Sequence, residues 1–95
     1  MTRETRHRTD VFTDLGFAPA EAENIRIRSA MMRALVKFIR KNNLTQARAA
    51  RILRVTQPRV SDLTRGKIHS FSIDNLVVLL AAAGLRVDVK VKKAA

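Results

Sequence analysis

The pattern of apolar positions divides this chain into helical stretches and one stretch of a different period. Met31, Met32, Leu35, Phe38 and Ile39 recur at three- and four-residue spacing, which predicts a helix with one buried stripe. Its start is expected at Pro19, because proline lacks the N–H that a first helical turn leaves unpaired. Glu21 and Glu23 near that start, and Lys37, Arg40 and Lys41 near the end, oppose the helix dipole. Asn42 and Asn43 are expected to end this helix. Three further helices have start signals. Thr45 and Thr56 are N-cap residues for the second and third, and Pro58 sits early in the third, where proline is tolerated. Ser72 caps the fourth. Val55 with Val60, and Phe71 with Leu76, stand at the positions of hydrophobic staples. Gly66 and Gly84 follow the third and fourth helices, where a left-handed residue ends a helix at little cost.

Beyond Gly84 the period changes to two. Leu85, Val87, Val89 and Val91 alternate with Arg86, Asp88, Lys90 and Lys92, the pattern of a strand with one buried face. A lone strand needs a partner for its backbone groups. A second copy of the chain supplies one solution, through an intersubunit ribbon that makes the protein a homodimer. A strand within residues 11 to 17 is the competing partner. The expected organisation is therefore an N-terminal arm (1 to 18), a helical domain (19 to 84), and a C-terminal strand with a basic tail (85 to 95). The fold class is all-α, a compact helical bundle with one C-terminal β-strand used in dimerisation.

The most specific segment is residues 45 to 66. Two short helices joined by a tight turn must cross closely, and Ala47, Ala49 and Ala50 provide the small residues for that contact. Val60 and Leu63 form the buried side of the second of these helices. Gln57, Pro58, Ser61, Asp62 and Arg65 point outward, with Arg59 at the flank. This outward set holds no large aliphatic residue and includes Gln, Ser and Arg, which pair with base edges or phosphates. That is how a helix-turn-helix presents a helix to the DNA major groove.

Charge agrees with this reading. The 95 residues carry a formal net charge of +11. Residues 24 to 71 hold twelve Arg or Lys against one acid, Asp62. So one-sided a distribution suits a polyanion better than a mixed solvated surface. A basic membrane-surface helix is the weaker alternative, since no basic face is combined with Trp or a strongly apolar one. The chain has no cysteine, which excludes disulfides and thiolate chemistry. His7 and His69 have no ligand partners at metal spacing, and no cofactor is expected. Phosphate loops, His-Glu metal motifs and nucleophile elbows are absent, so the chain does not read as an enzyme. The N-terminus does not resemble a secretory signal, and the longest apolar run, residues 76 to 83, is far below the ~20 residues of a membrane span. A cytoplasmic, nucleoid-associated protein is expected.

The pattern L-T-Q-x-x-x-A-x-x-L-x-V-T-Q-P-x-V-S-x-L-x-x-G, from Leu44 to Gly66, resembles the Cro/phage-repressor (XRE) helix-turn-helix family. The flanking segments GFAPAEAENIRIRSAMM and FSIDNLVVLLAAAGLRVDV are similar to its antitoxin branch, the HigA type. The resemblance implies roles for particular residues. Gln46 contacts a phosphate and braces the reading helix, Ala50 is the small residue at the crossing, and Val60 and Leu63 are the buried pair. Gln57, Pro58, Arg59 and Ser61 enter the major groove, and Thr64, Arg65 and Lys67 lie near the DNA backbone. With the caps Thr45 and Thr56, these form the expected DNA-binding set, while Leu85, Val87, Val89 and Val91 form the expected dimerisation set. Asp62 either accepts from a cytosine amine or holds Arg59 or Arg65 in an ion pair. The chain departs from the family at Arg54, a turn position often filled by glycine. Either Arg54 takes positive φ, at a cost of roughly 1 kcal/mol, or the turn has a different shape. The implied function is autorepression of an operon at a pseudo-palindromic operator, with neutralisation of a small RNA-cleaving RelE/HigB-like toxin. A stand-alone phage-type repressor, and nucleic-acid binding through charge alone, are the other readings.

Overall fold

The structure is a computed structural model that describes residues 18 to 94, and its regular elements are helical. Helix α1 spans Pro19–Lys41, α2 Gln46–Leu53, α3 Gln57–Thr64 and α4 Ile73–Ala82, with a 3-10 turn at Ile68–Ser70. The expected N-terminal arm, and the docking expected of Val11, Phe12, Leu15 and Phe17, fall outside the described residues.

The start and stop signals work through hydrogen bonds. Proline opens α1, with Glu21 in the first turn and Arg40 and Lys41 in the last. The Thr45 hydroxyl accepts from the Arg48 N–H at 3.1 Å and the Thr56 hydroxyl from the Arg59 N–H at 3.4 Å. Ser72 and Asn75 close a reciprocal capping box, each side chain accepting from the other's backbone N–H. Each bond satisfies a donor that the first turn of a helix otherwise leaves unpaired.

Packing follows the periodicity. Met31, Met32, Leu35 and Ile39 on α1 meet Ala49, Ala50 and Leu53 of α2, Val60 and Leu63 of α3, Phe71, and Leu76, Leu79 and Leu80 of α4 in one core. The stripe on α1 begins a turn and a half earlier than expected, because Ala22 and Ile25 are buried too. Phe38 is only half-buried, while Met31 and Met32 serve as core filler. Ala49 and Ala50 are buried, but Ala47 is exposed. The α2–α3 crossing therefore uses the later alanines and leaves the first turn of α2 in solvent.

Arg54 ends α2 with φ 60° and ψ 44°, the left-handed conformation. This turns the chain sharply enough for the Val55 N–H to reach the Ala50 carbonyl at 3.0 Å. A side chain in that conformation is strained, whereas glycine is not. Arg54→Gly is expected to raise stability by up to about 1 kcal/mol, the relieved strain being partly offset by a more flexible unfolded chain. Thermal denaturation measures this, and an unchanged or lower midpoint would place no strain at the turn.

The C-terminal strand requires correction. Residues 85 to 94 form no strand, and no strand occurs among the described residues. The Leu85 N–H bonds back to the Leu80 carbonyl at 2.8 Å, closing the end of α4 around Gly84. After that the chain runs without a ladder. Alternation of side chains sets which face a strand would bury, but only a neighbouring backbone makes it a strand. Within the described residues of a single copy, no element offers that edge. Val89 and Val91 are accordingly 82% and 89% exposed.

Candidate nucleic-acid interface

Helices α2 and α3 pack directly on each other, and α3 also rests on α1. Val60 and Leu63 bury the inner side of α3 to 1% exposure each. That fixes the opposite side as the surface presented to a partner. Gln57, Pro58 and Arg65 are exposed there, and Ser61 and Asp62 are half-exposed. Thr45 and Gln46 are exposed at the start of α2, and Thr56 at the start of α3. The hydroxyls of Thr45 and Thr56 already act as caps, so both residues define helix ends as well as surface. Thr64 is half-buried, and its hydroxyl donates to the Ser61 carbonyl at 3.1 Å.

Two charged residues have partners that the sequence reading did not assign. Asp62 pairs with Lys67, at 3.7 Å, rather than with Arg59 or Arg65. Both members are partly exposed, so this ion pair contributes little to stability. Its effect is to hold Lys67 beside the last turn of α3 and to partly neutralise the one carboxylate on the basic surface. Arg59 extends away from the outward edge. Its Nη1 donates to the Ser70 carbonyl at 2.7 Å, and its guanidinium lies 4.0 Å from the centre of the Phe71 ring. A cation over an aromatic face is attracted by the ring's negative π-cloud. Arg59 thus ties α3 to the loop that follows it.

Arg28 reaches the same loop from α1, and the sequence reading did not single it out. Its Nη1 donates to the carbonyls of Ile68 and Phe71, at 2.9 and 3.3 Å, and its Nε to Asn24 Oδ1 at 2.6 Å. Two arginines from two helices therefore clamp residues 68 to 71. The sequence carried no signal for this, since carbonyls some forty positions away have no side-chain signature. The clamp positions Lys67 and the exposed His69 relative to α3.

The geometry is that of a capped short helix with a polar outer edge, braced from behind and set in a cationic surface. Comparison with known proteins agrees. A helix-turn-helix domain family matches residues 11 to 92. A solved structure described as an XRE family transcriptional regulator matches with a TM-score of 0.71 at 34% identity, over 77% of this chain and 82% of that one. This chain belongs to the XRE helix-turn-helix family. No curated protein matches its sequence. Membership of this family of DNA-binding regulators accounts for the reading helix α3, for the small residue Ala50 at the crossing and for the concentration of positive charge. Among the described residues, no helix of this XRE protein is long and apolar enough to cross a membrane. Nor do those residues contain a cluster of three His, Cys, Asp or Glu side chains able to hold a metal.

Proposed function

We propose that this XRE-family chain is a sequence-specific repressor that reads DNA with the outer edge of α3. The observation that carries this is the state of that edge. Gln57, Ser61 and Arg65 are presented from a helix whose N-cap is made and whose opposite side is buried. Gln57 and Arg65 are suited to bidentate base contacts, and Pro58 to apolar contact with a thymine methyl. Gln46, Thr45, Thr56, Thr64 and Lys67 hold the register on the phosphates. Arg59 reads a base only by leaving Ser70 and Phe71, so its first role is to brace α3. The test is selection from random DNA at physiological salt. A preferred half-site supports the reading, and equal affinity for all sequences, falling steeply with salt, reduces it to binding through charge.

The protein acts as a homodimer on a pseudo-palindromic operator, with half-sites ~10 bp apart from centre to centre. Six large apolar residues between positions 77 and 91 are exposed: Val77, Val78, Leu85, Val87, Val89 and Val91. A second copy covering Leu85, Val87, Val89 and Val91 removes this surface from water. Removal of residues 85 to 95 is expected to shift the protein towards monomer in analytical ultracentrifugation; an undiminished dimer would place the interface elsewhere.

The segments flanking the motif resemble the antitoxin branch. On that resemblance the repressor also neutralises a small RNA-cleaving toxin and controls the operon encoding both. Co-purification from native cells decides this. A small ribonuclease bound to the chain establishes the antitoxin role, and its absence under conditions that preserve DNA binding leaves a stand-alone cytoplasmic repressor.

A further inference from the structure

A groove of about 1070 Å³ runs between the second half of α1 and the end of α3. Its floor is apolar, with the half-buried Val36 and Ile68 beside the buried Leu63. Its rim is cationic. Arg33, Lys37, Arg40 and Lys41 line it, all exposed, and no carboxylate among the described residues pairs with them. A nucleic-acid backbone satisfies such a rim but leaves the floor wet. A peptide carrying both carboxylates and large apolar side chains matches both parts.

The chain itself contains one such peptide. Residues 10 to 17, DVFTDLGF, hold Asp10 and Asp14, no base, and the apolar residues Val11, Phe12, Leu15 and Phe17. The family match starts at residue 11, which makes this segment part of the domain and not a linker to it. Its reach is sufficient. Ser29, at the near end of the groove, is about 15 Å along α1 from Pro19. Residues 10 to 18 span about 30 Å when extended. We propose that residues 10 to 17 fold back along α1 and dock in this groove in cis, their apolar side chains on its floor and Asp10 and Asp14 against the Arg33–Lys37 rim. The proposal is independent of DNA reading by α3, which its test does not involve.

The absence of native cysteine allows a clean test on the full chain. A nitroxide on Thr13→Cys is expected to erase amide NMR signals around residues 29 to 37 and 63 to 68. Lys37→Glu, an exposed change that leaves the core intact, is expected to restore a large part of them. Loss centred instead on Ile27 and residues 90 to 94 would overturn the proposal, as would uniform weak broadening. Loss transferred to unlabelled copies in a mixed sample would overturn docking in cis. An unchanged pattern in Lys37→Glu would overturn the charge match.

Discussion

Phe71→Ala is expected to lower folding stability by about 3–5 kcal/mol. For a domain whose total is roughly 5–15 kcal/mol, that leaves a marginal protein. The residue stands outside the regular helices, yet it is 2% exposed and among the largest fully buried side chains. Its ring fills the core between α1 and α4 and also carries the Arg59 guanidinium on one face. Its carbonyl accepts from Arg28. Truncation thus opens a cavity and leaves Arg59 without its aromatic partner. Because Arg59 belongs to α3, the variant is also expected to bind DNA more weakly than its folded fraction predicts. Urea denaturation gives the first quantity. A loss below about 1 kcal/mol would mean that the loop collapses into the space and that the clamp does not depend on the ring.

The double substitution Gln57→Ala and Arg65→Ala is expected to remove most of the preference for one operator while leaving the fold intact. Both side chains are exposed, and the described residues give neither an intramolecular side-chain partner that truncation would strand. Each bidentate base contact is worth about 1–3 kcal/mol of discrimination. The pair together therefore costs roughly 2–6 kcal/mol, or about thirtyfold to ten-thousandfold in the ratio of specific to nonspecific affinity. Fluorescence anisotropy at one fixed salt concentration, on operator and scrambled duplexes, separates the alternatives. An equal loss on both duplexes assigns the two residues to phosphate contacts.

The parts of the fold legible in the sequence are those set by local physics. Thr45, Thr56 and Ser72 cap the helices they were expected to cap, because a hydroxyl three residues before a free N–H needs no tertiary context. Val60 and Leu63 are buried because their spacing leaves a short helix one apolar side. Arg54 takes the left-handed conformation at the family's glycine position, since the turn geometry dominates the cost of a side chain there. What was not legible depends on partners distant in sequence. Arg28 and Arg59 look like ordinary members of a cationic population until the loop carbonyls they bind are placed. Asp62 selected Lys67, five residues on, over the two arginines nearer in sequence, because the turn after α3 brings that lysine back. The alternation after Gly84 was real as a pattern, but pairing is a property of two backbones, and one copy presents only one of them.

Helix α2 is entered and left through single left-handed residues, Asn43 at φ 50° and Arg54 at φ 60°. Neither is glycine, so the connectors at the two ends of α2 lack the freedom glycine would give them. The caps of α2 and α3 are complete in the unbound protein. The docking of α3 on DNA therefore requires almost no ordering of its own backbone, and the entropy that a partly folded reader would surrender on binding is already spent in folding. The two joints make recognition here closer to the fit of a rigid tool than to the wrapping of a flexible one.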